Sequence, residues 1–151
     1  MQLHETDREE QEFVGVRENV KRDEIGLFFD RALPQIFSFL GGAGLEPTGP
    51  PLGVYYSVTD DGFDMAAAVP VGKPIEGSGA VISGTLPGGR AVTQDHYGQY
   101  DGLSASWDLF NRRVDEAGLH RRFPSWEEYV IGPPDEADVS RWKTVLVQPI
   151  V

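Results

Sequence analysis

The sequence predicts an α+β fold: a duplicated βαββ repeat with pseudo-two-fold symmetry, a mostly antiparallel sheet carrying two helices, and a ligand cleft at the repeat seam. Three observations carry this expectation. Both halves read strand, helix, strand, strand. Ala43-Gly44-Leu45 closes the first helical pattern and Ala117-Gly118-Leu119 the second, 74 residues later. The same offset carries Tyr55 onto Tyr129. Each half alone has a sheet face and too little chain to cover it, so the halves are expected to pair. The 151 residues are read as one domain, with repeat halves at about 1–75 and 79–151.

The elements follow in order. QEFVGVRENV at 11–20 has the β propensity of a first strand, through Phe13 and its valines. Ile25, Phe28, Phe29, Ala32, Leu33, Ile36, Phe37 and Leu40 then fall at helical spacing. Asp23 is the expected N-cap, Pro34 is expected to kink or split the helix, and the glycines at 41, 42 and 44 to end it. EPTGPP at 46–51 is a loop. VYYSV and FDMAAAVPV form a hairpin turning at Thr59-Asp60-Asp61-Gly62. AVISGTL and RAVTQDHY flank Pro87-Gly88-Gly89, which reads as a second hairpin turn. Leu103, Trp107, Phe110 and Val114 mark a second helix, with Asp101 as N-cap and Gly118 as stop. WEEYVI and KTVLVQPI close the chain as strands.

Composition narrows the function. Thirteen basic against 24 acidic residues give a net charge of −11, which repels phosphate backbones and anionic lipid. Direct nucleic-acid or membrane contact is therefore not expected, whereas a positively charged or electron-poor small ligand is tolerated. The absence of cysteine removes disulfides, thiol catalysis and thiolate metal sites, and fits a cytoplasmic location. No stretch approaches the ~18 apolar residues of a membrane span, and the acidic start MQLHETDREEQEF does not read as a signal peptide. His4, His96 and His120 lack ligand-like spacing, so neither metal nor cofactor is expected, and His96 reads as structural or solvent-facing. LPGGR does not lead into a helix as a phosphate-cradling loop must.

The residues with chemical promise are acids among aromatics. In SWEEYVIG at 125–132 a strand sends Glu127 and Tyr129 to one face and Trp126, Glu128 and Val130 to the other. Each face carries one acid, and alternation does not choose between them. The repeat register sets Tyr55 on the side of Tyr129. An inward carboxylate needs a proton, hydrogen bonds or a cation. Aromatic faces with one carboxylate make a receptor for a delocalised cation.

GVYYSVTDDGFDMAAAVPV, LPGGRAVTQDHYGQYDGL and WEEYVIGPP followed by WKTVLVQPI stand in this order along the chain. Together they resemble the GyrI-like small-molecule-binding domain, the effector-binding module of multidrug-responsive regulators of the AraC and MerR types. The most specific segment is similar to the pattern LPxGxxAxxxHxGxYxxL, and the resemblance covers essentially the whole chain. It implies the duplicated βαββ fold. It also implies that the glutamate of an ExY motif, here Glu127 with Tyr129, lies at the floor of an aromatic pocket for flat cationic ligands. Tyr55 matches a pocket-side aromatic, and Tyr100, Trp107 and Trp142 are candidate walls. The regulators carry a DNA-binding domain that this sequence does not show, so a standalone member is expected. Such members include a gyrase inhibitor, drug-sequestering proteins and hydrolases that open the cyclopropane ring of DNA-alkylating natural products.

Two main functions follow. In the first, Glu127 pairs with a cationic or electrophilic aromatic ligand held by Tyr55, Tyr129 and the tryptophans. In the second, Glu127 with Tyr55 and Tyr129 forms the catalytic set of a cyclopropane hydrolase. A third reading has an acidic face docking on a basic protein partner.

Overall fold

The computed structural model describes residues 3–151, so the first two residues of the expected first half lie outside it. The fold is mixed α+β. Strands β1 (His4–Arg8), β2 (Gln11–Lys21), β3 (Leu52–Val58), β4 (Gly62–Pro70), β5 (Ile82–Leu86), β6 (Gly89–Tyr97), β7 (Ser125–Ile131) and β8 (Lys143–Pro149) form one antiparallel sheet. Helices α1 (Ile25–Gly42) and α2 (Leu103–Glu116) pack on one face of it.

The strand order is β1-β6-β8-β7-β3-β4-β2-β5, which reads the same outward from β3·β7 in both directions. The offset of 74 recurs in detail. The β3–β4 ladder is interrupted between Tyr55 and Ser57, and the β7–β8 ladder between Tyr129 and Ile131, each pair 74 apart. Both helices end in the same Schellman geometry. The Leu45 N–H donates to the Leu40 carbonyl at 2.9 Å and the Leu119 N–H to that of Val114 at 3.2 Å. Gly44 (φ 68°) and Gly118 (φ 76°) supply the left-handed residue at those ends.

The sheet is strongly curled, for a reason of reach. β1 and β2 are joined by Glu9 and Glu10 alone, yet six strand spacings separate them in the sheet. Flat, that gap is roughly 29 Å, whereas three Cα steps span at most about 11 Å. The sheet rolls up until its ends nearly meet. Pro87-Gly88 makes the same jump between β5 and β6, which do not pair with each other. The expected second hairpin is thus a crossing between opposite ends of the sheet. Strand β1 was not anticipated, because HETDR has no apolar alternation.

Curling gives the sheet two buried faces. On the helix side, Phe28, Ala32, Ile36 and Leu40 of α1 meet Val14, Val16, Met65 and Ala67. Phe110 and Val114 of α2 meet Val92, Leu146 and Ile150. Inside the curl, Trp126 packs with Phe13, Leu52, Val54, Ala66 and Val147. Helix α1 runs unbroken through Pro34, against the expected kink. Pro34 and Asp30, whose carbonyl loses its partner, are both exposed, so water serves that carbonyl while the buried stripe holds the helix. Neither Asp23 nor Asp101 caps a helix; each helix begins instead from a 3-10 turn, Arg22–Glu24 and Tyr100–Gly102.

Candidate functional site

Strand β7 lies beside β3 at the centre of the sheet, with Glu127 opposite Gly53. The offset of 74 maps Gly53 onto Glu127 itself, so the pseudo-two-fold axis passes through this pair. Two side chains cannot share that spot. A Cβ on Gly53 would lie 2.5 Å from the Tyr129 hydroxyl, 3.2 Å from Phe29 and 3.4 Å from Glu127 Oε1. Glycine in one repeat makes room for glutamate in the other.

Glu127 is 1% exposed and points to the helix side. Its Oε1 accepts from the Tyr129 hydroxyl at 2.6 Å and the Tyr55 hydroxyl at 2.9 Å, and its Oε2 from Trp107 Nε1 at 2.7 Å. A carboxylate offers about four acceptor positions, so these three neutral donors leave one open. Among the described residues no cationic side chain forms a salt bridge with it. Burial pushes the Glu127 carboxyl above its usual range; hydrogen bonds from Tyr129, Trp107 and Tyr55, and the charge of His96, pull it part of the way back. Burial also raises the hydroxyls of Tyr55 and Tyr129 well above the ordinary tyrosine value, with the Glu127 charge adding to it. Both therefore stay protonated and donate.

The aromatics form a connected wall. Tyr129 meets Phe29 edge-on at 5.5 Å and Tyr100 at 5.6 Å. Tyr55 meets Phe63 at 5.0 Å and Trp107 at 6.4 Å. Tyr100 lies 5.4 Å from Trp142, whose Nε1 donates to the Glu136 carbonyl at 2.7 Å. Glu127, Tyr55, Tyr129 and Trp107 are thus brought into direct contact. Tyr100, 38% exposed, and Trp142 lie farther out and make no hydrogen bond to the carboxylate. Such a set can hold a flat cation by charge and by aromatic faces.

Glu128, on the face of Trp126, points into the curl and is paired there. Arg8 grips it with two hydrogen bonds at 2.9 and 3.2 Å, and Trp126 Nε1 donates to it at 3.1 Å. His96 lies within hydrogen-bond distance of both the Gln99 carbonyl (Nε2, 2.9 Å) and Ser106 Oγ (Nδ1, 2.7 Å). A carbonyl only accepts, so Nε2 carries a proton, and Nδ1 pairs with the Ser106 hydroxyl. The ring ties β6 to the start of α2 and so helps seat Trp107. Among the described residues no group of acidic and histidine side chains is arranged to hold a metal ion, and no helix is long and apolar enough to cross a membrane.

The family model described as GyrI-like small molecule binding domain matches residues 1–150. The chain belongs to this family. The C-terminal domain of EcmrR superposes with a TM-score of 0.87 at 21% identity, covering 99% of this chain and 97% of that one. In the complex of EcmrR with DNA, the same likeness (TM-score 0.84, 22% identity, 99% of this chain) spans 57% of the regulator's length. SAV2435, solved bound to tetraphenylphosphonium, superposes with a TM-score of 0.71 at 14% identity over 100% of this chain and 94% of that one. A Listeria innocua protein described as a hydrolase gives 0.66 at 14% identity, over 99% of this chain and 92% of that one. A comparison with curated proteins brought no match.

Within this GyrI-like frame, sequence reasoning passed over Phe29, Phe63 and Gly53. The phenylalanines sit on stretches whose apolar spacing reads as ordinary core. Gly53 carried a usable signal: subtracting 74 from Glu127 lands on it.

Proposed function

We propose that this GyrI-like domain binds a flat, aromatic, cationic small molecule against Glu127, between Tyr55, Tyr129 and Trp107, with Tyr100 and Trp142 at the entrance. One observation carries this reading: a carboxylate 1% exposed, served by neutral donors only and enclosed by aromatic rings. Burying such a group is costly unless its charge is met, and an incoming cation meets it. The family description supports a small-molecule ligand, and the tetraphenylphosphonium complex of SAV2435 supports its aromatic and cationic character, though not its flatness. Titration with a fluorescent phenanthridinium dye, wild type against Glu127→Gln, tests it; equal affinities would remove the carboxylate from the reading.

A second reading rests on the raised proton affinity of Glu127. As the carboxylate, a group tuned upward can take a proton from water as the water oxygen bonds to a cyclopropane carbon; the ring C–C bond breaks and its electron pair moves onto the alkylator's conjugated carbonyl, to which a tyrosine hydroxyl donates. Mass spectrometry of the alkylator after incubation decides it: a water adduct formed faster than with Glu127→Gln supports turnover, and unchanged alkylator supports capture alone.

A further inference from the structure

Resting on the binding reading above, we propose that Thr144 is a specificity-determining residue. In this proposal it forms a second, polar subsite beside Tyr129 that accepts an N–H donor carried by the aromatic cation. Thr144 is 1% exposed, and among the described residues its hydroxyl oxygen has no hydrogen-bond partner. Buried hydroxyls are seldom left that way, and each one calls for a cause. The strand itself gives none, because valine has the same shape, prefers strands and has no polar atom to satisfy.

The register places this hydroxyl. Thr144 pairs with Tyr129 on one side and His96 on the other. It alternates with Val145, which packs inside the curl, so its side chain is on the helix side with Glu127 and Tyr129. Neither polar neighbour in that row is bonded to it. Tyr129 donates to Glu127, and both His96 nitrogens are engaged with Ser106 and Gln99. The counterpart position in the other repeat is Met65, since Tyr55 pairs with Met65 as Tyr129 pairs with Thr144. Met65 is 0% exposed and fills the α1 core. Where the first repeat has a long apolar side chain, the second has a short polar one, so the site is apolar toward Tyr55 and polar toward Tyr129. Thr144 offers an acceptor diagonally across the β7–β8 ladder from Glu127, and the chain's net charge is −11. That setting favours an N–H donor, such as a ring amino group, over a ligand carbonyl.

The test uses two dyes that differ in one feature: ethidium, whose phenanthridinium ring carries two amino groups, and its deaminated analogue 5-ethyl-6-phenylphenanthridinium, which has none. Thr144→Val is expected to weaken ethidium roughly three- to tenfold, the worth of one hydrogen bond, and to leave the deaminated analogue unchanged. Thr144→Ser, which keeps the hydroxyl, restores most of the ethidium affinity. Thr144→Val should melt at or above the wild-type temperature, because an unpaired polar atom is gone. Equal loss for both dyes, no loss for either, or a fall in melting temperature overturns the proposal. If both dyes respond to Glu127→Gln and neither to Thr144→Val, the Thr144 subsite falls while the Glu127 reading stands. Failure of wild type to bind either dye overturns both.

Discussion

Exchanging Glu127 for glutamine keeps the shape of the side chain and removes its charge. The carboxylate is 1% exposed, so a cation reaching it does so without intervening solvent. Opposite charges 4 Å apart at an effective dielectric near 20 attract by about 4 kcal/mol. Part of that is spent, because burial favours the protonated carboxyl and the proton must leave before a cation is held. A net loss of about 2–3 kcal/mol follows, or roughly 30- to 150-fold in affinity. The assay is a fluorescence titration at neutral pH with N-ethylphenanthridinium, and phenanthridine serves as the uncharged control with the same ring system. The cation should lose affinity by that factor and the neutral ring should lose little. If both weaken equally, Glu127 shapes the pocket without acting through charge, and the electrostatic argument is wrong.

Other expectations follow from the same geometry. Because burial raises the Glu127 carboxyl, the folded protein binds this proton more tightly than the unfolded chain. Its contribution is complete below the unfolded value and is lost as pH rises through the folded one. Melting curves over pH 4–8 should therefore show wild type losing stability relative to Glu127→Gln as pH rises, while affinity for a fixed cation increases; parallel curves would refute the shift. Gly53→Ala brings a methyl within 2.5 Å of the Tyr129 hydroxyl, and overpacking there should cost about 1–3 kcal/mol, read as a lower melting temperature with weakened dye binding. A variant that keeps both would show that Tyr129 can move aside. Arg8→Ala strips Glu128 of its two guanidinium bonds inside the curl. With the pair 30% and 19% exposed, a loss of about 1–2 kcal/mol is expected in denaturant melts, and dye affinity should not change because Arg8 lies on the opposite sheet face.

Much of this was legible because the repeat is written into local chemistry. A left-handed glycine at each helix end and a tyrosine at each central strand sit 74 apart, and those positions fix how the halves superpose. Other parts left no such mark. Alternation marks a strand when one face is wet, but Trp126 and Glu127 are both buried, on opposite faces of a curled sheet. No count of apolar positions in SWEEYVIG could rank its two acids; the resemblance to the ExY motif did. Strand β1 is short, polar and at the end of the sheet. Pro87-Gly88-Gly89 has the residues of a hairpin turn and makes a long-range crossing. Local sequence encodes the turn, while the destination of the chain after it depends on strands far away. The repeat offset also drifts: it is 74 at Tyr55 and Tyr129 but 79 at Met65 and Thr144, so a single linear register hides the correspondence that sets Thr144 apart.

That drift bears on how a symmetric fold makes an asymmetric site. On the axis a side chain meets its own image, so two glutamates there would repel at contact distance, and two tyrosines would lack a carboxylate to share. Setting glycine against glutamate breaks the tie, since the single acid can then be reached by a tyrosine from each repeat. The third donor comes from one side only. Trp107 lies 74 positions after Leu33, whose side chain has no hydrogen to give. Once Oε2 is turned toward Trp107, the two halves of the site stop being equivalent. Met65 and Phe63 stand on the Tyr55 side, and Thr144 and the His96–Ser106 pair on the Tyr129 side. In the proposed complex the ligand takes one orientation, with its charge on the axis and its polar edge toward the second repeat.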